Sequence, residues 1–386
     1  MSKAAELANL IGNINAGGGG VNRNVLVNGA MNVAQRTTSS TGLGADTSST
    51  VTTRYKVCDR WGFEASGTAG RFTMSQDTSV PTGKGFANSL KLDCTTDDSS
   101  IATGELLVLQ QRIEGQNLQA FAKGTSEAKP FALSFYAKAN ASKTYVAELF
   151  DIDNSRHVGK TFTVGTDWAK HEITFPADTT GAFDDDNAES IRFNIWLHGG
   201  ATFTGGTLGT TWQAEDADDR AAGIGSFFSS TDNTFFITGV QLEVGQNPTE
   251  FEHEPFDTTL VKCQRYYQLI GRDFSDTTPT TAFAWGYTVN GSDAQGMLNF
   301  ERRMREKPTF TAPTDGNLDF RTNSGSGAVH QSGNAFTSVV LSETSAEFTQ
   351  QNHASNFGGG GQPYFLKWNG VQGTGITASV QLDAEL

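Results

Sequence analysis

The side chains with most chemistry to offer lie on one short run, IRFNIWLH, residues 191–198. Read with a period of two, Ile191, Phe193, Ile195 and Leu197 share one face, and Arg192, Asn194, Trp196 and His198 share the other. The first is a core face. The second sets an indole among a guanidinium, an amide and an imidazole. That combination suits a sugar, because the ring stacks on the apolar face of a hexose while polar groups fix its hydroxyls. Tyr136, outward with Lys138 on PFALSFYAKA, is expected on the same surface. The competing reading packs Trp196 beneath a loop or against a neighbouring subunit. A rival platform is Phe283, Trp285 and Tyr287, which share one face of a later strand; for them the competing reading is a core face.

Other chemistry is thin. Carboxylates gather at Asp184, Asp185 and Asp186, at Glu215, Asp216, Asp218 and Asp219, and at Asp151 and Asp153 beside Asn154. None follows the twelve-residue calcium loop, so they read as solvated acidic loops and no metal ligand is assigned. Cys58, Cys94 and Cys263 are far apart and odd in number, which reads as reduced, buried thiols. No GxSxG, HExxH or Walker loop occurs, and the six histidines have no ligand spacing. The chain is therefore read as no enzyme. A glycosidase needs only two opposed carboxylates, so a polysaccharide depolymerase stands as the last of three readings.

Strands must position these residues. Leu107, Leu109 and Ile113 share a face in ELLVLQQRIEG, as do Phe131, Leu133, Phe135 and Ala137, then Tyr145, Ala147 and Leu149, then His171, Ile173 and Phe175. A further strand is expected around Phe162 and Val164. Many alternating strands separated by polar turns predict an antiparallel sandwich. In TFFITGVQLEV, Phe236, Thr238, Val240, Leu242 and Val244 are expected on one apolar face. Asp257 is the expected N-cap of a short helix carrying Leu260, Val261, Gln264 and Tyr267. Beyond it, Asn290-Gly291 predicts a two-residue hairpin turn in a second, smaller β-domain. At the other end, residues 2–12 form a short helix whose stripe includes Leu7, Leu10 and Ile11, tethered by Gly17 to Gly20. So short a helix needs a partner for its stripe.

Composition narrows the function. The 386 residues suit two or three domains. Glycine supplies 43 of them, well above the usual ~7 %, as many tight turns require. The net charge of −14 and the lack of a basic stripe speak against nucleic acid and anionic membrane surfaces. No apolar run reaches the ~18 residues of a membrane span, and no signal peptide is read at MSKAAELANLIG.

QLEVG (241–245), FEH (251–253) and CQRYYQ (263–268), in that order and spacing, resemble a joint found in bacteriophage tail-fibre and receptor-binding proteins. NVLVNGAMNVAQR (24–36), DRWGFEA (59–65), MREKPT (304–309) and the ending DAEL resemble the same family. The strand pattern also resembles jelly-roll carbohydrate-binding modules, many of which hold a structural calcium, so that resemblance implies one as an alternative to the solvated loops. The expected organisation is an N-terminal anchor over residues 1–20, a connecting segment 21–58, a jelly-roll-like β-sandwich 59–256, a linking helix 257–270 and a C-terminal β-domain 271–386. The resemblance implies a homotrimeric fibre on the virion, made in the host cytoplasm. It would be joined to another virion protein through residues 1–20 and bind host-surface glycan. The second reading is a purely structural capsid or baseplate decoration fibre.

Overall fold

A computed structural model describes residues 22–45, 54–270, 282–290, 293–312, 318–322, 328–331, 338–350, 363–368 and 380–386, with Lys3 and Gly361. The anchor residues Leu7, Leu10 and Ile11 and the Gly17–Gly20 tether lie outside the described residues. The chain divides into two compact units. The first comprises Met1–Ala34, Thr38–Thr259 and Leu386; the second comprises Gln35–Thr37 and Leu260–Glu385.

The first unit is an antiparallel, jelly-roll-like sandwich of two six-stranded sheets. One sheet runs β1 (Ser39–Leu43), β3 (Arg71–Asp77), β4 (Ser89–Thr96), β12 (Thr234–Val244), β6 (Phe131–Ala139) and β9 (Ala169–Phe175). The other runs β11 (Gln213–Ala214), β8 (Arg156–Val164), β7 (Lys143–Asp151), β10 (Glu189–Gly199), β5 (Leu106–Glu114) and β2 (Gly62–Ser66). The alternating apolar residues meet between the sheets: Phe131, Leu133 and Phe135 from β6 share one core with Ile191, Phe193 and Ile195 from β10. At ~25 cal/mol per Å² of apolar surface removed from water, this burial is the main term holding the sandwich together.

Strand β12 departs from simple alternation. Phe235 and Ile237 join the core, and so do Val240, Leu242 and Val244. The phase changes at a register shift between Thr238 and Gln241, at Gly239 with φ +64°. An inserted residue moves every later side chain to the opposite face. Phe236 therefore leaves the expected apolar face and lies under Lys138, whose Nζ is 4.5 Å from the ring centroid.

The residues behind the fibre resemblance are tightly bonded. Glu252 accepts from the backbone N–H of Asn22 at 2.6 Å, of Arg23 at 2.7 Å and of Asn24 at 3.3 Å. Asn28, at φ +59°, donates through its amide to the carbonyls of Val33 at 2.9 Å and Asp59 at 3.0 Å. Trp61 Nε1 donates to the Asn28 carbonyl at 3.0 Å. Residues 22–34, 38–45 and 54–58 thus belong to the first compact unit instead of standing apart as a connector.

The helix α2 spans Phe256–Gln264, behind the short α1 (Ala201–Thr204). Asp257 lies in its first turn and is not its cap, and Tyr267 falls beyond it in β13 (Tyr267–Ile270). In the second unit, β13 pairs with β22 (Val380–Asp383), which pairs with β16 (Thr309–Thr311). A seven-stranded sheet runs β18 (Ala328–Gln331), β17 (Leu318–Thr322), β21 (Pro363–Trp368), β14 (Ala282–Thr288), β15 (Ala294–Asn299), β20 (Ser345–Gln350) and β19 (Ser338–Leu341). The last β14–β15 pair is Thr288 with Ala294, so the connection is longer than the expected two-residue turn. Arg36 lies 3.6 Å over the Tyr267 ring and pairs with Asp383 at 3.2 Å. Arg305 donates to the carbonyl of Ala384 at 2.9 Å.

Candidate functional site

Strand β10 runs between β7 and β5, so its outward side chains sit in rows with theirs. Asn194 lies between Gln110 and Glu148, and Trp196 between Val108 and Val146. The chain from 200 to 225 adds β11 to the sheet's edge beside β8 and, through α1 and residues 221–224, packs against the sheet's outer face. Trp196, Leu106, Val108, Val146 and Ala221 form a small apolar cluster there, with Phe203, Leu208 and Ile224 packed against it. A cleft of about 160 Å³ remains, lined by Glu64, Leu106, Val108, Arg192, Asn194, Trp196, Phe203 and Arg220.

Glu148 organises the polar wall and is fully buried. Its Oε2 accepts from Trp196 Nε1 at 2.7 Å and Asn194 Nδ2 at 2.9 Å. Arg220 donates to both of its oxygens, Nε to Oε1 at 2.8 Å and Nη2 to Oε2 at 3.0 Å, a planar two-point match between guanidinium and carboxylate. Burial opposes the charge on Glu148, but Arg220 outweighs it, helped by His157 Nδ1 at 3.4 Å and the hydrogen bond from Trp196, and the pKa falls to about 2. Burial likewise opposes the charge on Arg220, and the Glu148 carboxylate more than offsets it, raising the guanidinium's pKa.

Asn194 has a consequence for binding. Its Nδ2 is committed to Glu148, which fixes the amide orientation, since a flipped amide would set its oxygen against the carboxylate. Its Oδ1 is buried with no hydrogen-bond partner. Buried polar atoms are nearly always bonded, so this acceptor is left to be met by a small donor such as a water molecule or a ligand hydroxyl. Arg192, at the rim, donates from Nε to Glu189 at 2.8 Å, and its Nη1 is 3.8 Å from Glu64. Its side chain remains 20 % exposed and that of Glu64 26 % exposed.

The expected platform is thus altered in three places. Trp196 lines the cleft but is only 1 % exposed. Phe203 packs at 5.1 Å from it, and Arg220 stands 5.1 Å from its ring centroid, so its face is taken. His198 leaves the outward face at a bulge between Trp196 and His198, where β10 slips against β5. It is buried, with Nδ1 2.8 Å from Ser226 Oγ and Nε2 3.1 Å from Glu105. Burial lowers its pKa despite Glu105. Tyr136 belongs to the other sheet, on β6, buried with its ring 5.6 Å from that of Phe86. Arg192 and Asn194 do come together in the cleft.

Glu148, Arg220, Glu64 and Phe203 are not among the residues singled out from the sequence. One signal was present. The outward phase of TYVAELFD reads Val146, Glu148, Phe150, too apolar for a solvated face and therefore in need of a cover.

On β14, the side chain of Phe283 lies outside the described residues. Trp285 is 58 % and Tyr287 51 % exposed, opposite the buried Ala284, and Tyr287 Oη donates to Gln295 at 2.7 Å. Trp285 pairs across strands with Met297.

Asp216, Asp218 and Asp219 bring carboxylate oxygens within 4.8 Å of one another and could hold a cation. The hydrogen bond between Asp216 and Asp218 raises the pKa of Asp218. Asp219 already accepts from Thr207 N at 2.8 Å and Gln213 Nε2 at 2.9 Å. Asp151 is engaged by Lys123 at 2.5 Å. Cys58, Cys94 and Cys263 are buried and form no disulfide among themselves, and burial pushes Cys94 up to about 11. Among the described residues, no helix is long and apolar enough to cross a membrane.

No family model matches the chain, and no curated protein matches it. Among solved structures, it is similar to the enzymatically active domain of bacteriophage CBA120 tailspike protein 4, with a TM-score of 0.30 and 14 % identity over 57 % of this chain. The match spans 21 % of that tailspike chain. It is also similar to a family 4 carbohydrate-binding module, with a TM-score of 0.29 and 13 % identity over 56 % of this chain and 97 % of the module. A family 61 module in complex with β-1,4-galactotriose is similar with a TM-score of 0.27 and 10 % identity, over 57 % of this chain and 99 % of that one.

Proposed function

We propose that this protein is a virion fibre, homotrimeric and attached to the particle through residues 1–20, that grips host-surface carbohydrate in the cleft on the outer face of its second sheet. The observation that carries the sugar-binding part is the unbonded Asn194 Oδ1 in the cleft wall. A sugar hydroxyl is a donor of the right kind, and Arg192 and Arg220 offer N–H groups to its oxygens. Leu106, Val108 and Phe203 supply apolar wall for its CH face. The volume of about 160 Å³ equals roughly five waters at ~30 Å³ each, enough for one sugar ring. A single ring binds weakly, and linked copies in a trimer raise avidity by orders of magnitude.

Titration calorimetry on a hit from a glycan microarray tests the reading. Asn194→Ala is expected to weaken binding about tenfold, the effect of ~1.4 kcal/mol from one lost hydrogen bond, with the thermal melt checked in parallel. Absence of any glycan hit, or unchanged binding by a folded Asn194→Ala protein, overturns it. Light scattering should return three times the 41.3 kDa chain mass, and deletion of residues 1–20 should abolish incorporation into particles. The covered face of Trp196 favours a second reading, a structural fibre without sugar binding; under it the microarray stays blank while assembly depends on the chain.

A further inference from the structure

We infer that the cleft selects an uncharged sugar over an acidic one, an inference that rests on the sugar-binding reading above. The charges around it are already matched. Arg220 is held by Glu148 at 2.8 Å and Glu215 at 3.4 Å. Arg192 is held by Glu189 at 2.8 Å, with Glu64 at 3.8 Å. Behind them Arg112 reaches Glu189 at 3.0 Å and Glu64 at 4.0 Å. Three guanidiniums thus face four carboxylates, and each guanidinium in the cleft wall has a carboxylate within ion-pair distance. A uronate or sialate entering here loses its hydration and meets no uncommitted cation, and burying a charge without a dedicated partner is costly.

The hydrogen-bond demand points the same way. Asn194 Oδ1 needs a donor. A hydroxyl donates and accepts, whereas an ionised carboxylate only accepts and would repel that oxygen. A hydroxyl can receive a spare N–H from Arg192 or Arg220 while giving its own proton to Asn194. Glu64, which lines the cleft with its side chain 26 % exposed, adds an acceptor for a second hydroxyl and excludes anions from the rim.

The test is a microarray carrying neutral oligosaccharides beside their uronic-acid counterparts, probed with the full chain at low and high salt. Hits are then measured by calorimetry for the wild type and Glu64→Gln. Selection of neutral sugars predicts affinity at least tenfold above the matched acidic ligand and insensitive to salt. Glu64→Gln, which releases part of the hold on Arg192 and Arg112, should narrow that ratio several-fold. Equal or tighter binding of the acidic ligand, weakening with salt, overturns the inference and leaves sugar binding standing. An unmoved ratio in a folded Glu64→Gln protein also overturns it. No binding of either class overturns both.

Discussion

Glu148 takes the Asn194 amide N–H at 2.9 Å on the same oxygen that receives the Trp196 indole at 2.7 Å, so one buried carboxylate orients both cleft residues. Their positions on β10 give them the same face, but Glu148 decides which end of the amide is left for a ligand. Arg220, arriving from the chain between 200 and 225, keeps that carboxylate ionised.

The pH dependence of stability follows from Glu148. Its folded pKa of about 2 lies below the ordinary value of 4.5. Its contribution is therefore fully present above pH 4.5 and is lost as pH falls towards 2. The shift corresponds to roughly 3 kcal/mol at ~1.36 kcal/mol per pH unit. Urea unfolding from pH 6 down to pH 2.5 should show this loss in the wild type and a flatter profile in Glu148→Gln. That variant should be weaker by ~3 kcal/mol at pH 7, because Arg220, only 12 % exposed, keeps no carboxylate but Glu215 at 3.4 Å. Parallel profiles would contradict the assignment.

Trp196→Ala removes a fully covered side chain. A loss of ~3–5 kcal/mol in urea unfolding is expected, as for other large core truncations. A solvent-facing platform would lose little, so a change within ~0.5 kcal/mol would return Trp196 to the surface.

Trp285→Ala makes the contrasting case in the second unit. With the side chain 58 % exposed, its truncation should alter stability by no more than ~0.5 kcal/mol. A thermal melt that falls by many degrees would mean that the residue is covered in the native assembly.

Gly239→Ala probes the bulge in β12. The backbone sits at φ +64°, and an added Cβ would come within 2.5 Å of the Phe86 ring. A loss of ~1–3 kcal/mol is expected from backbone strain and displacement of that ring. An unchanged urea midpoint would show that Phe86 moves aside freely.

Much of the fold was legible because burial of strands writes a period of two into the sequence. Ile191, Phe193, Ile195 and Leu197 face the core as their spacing predicts, and so do Phe131, Leu133 and Phe135. The antiparallel sandwich follows from such runs. The bulges were not legible. Gly239 and the slip between Trp196 and His198 each insert one residue, and a one-residue slip reverses what period-two reading assigns. Tyr136 was misplaced for a different reason: alternation tells inward from outward but not which of two sheets a strand joins.

By itself, then, the sequence determined the all-β architecture, the inner faces of the central strands, and that Arg192 and Asn194 share the outer face of β10. Local sterics and apolar spacing suffice for that. Only the tertiary structure decided that the chain from 200 to 225 covers Trp196, that Arg220 meets Glu148 across 72 positions of sequence, and that Asn194 Oδ1 is left unbonded. Those outcomes depend on long-range pairing and on what a packed segment shields from water, and neither is encoded in the spacing of neighbouring residues.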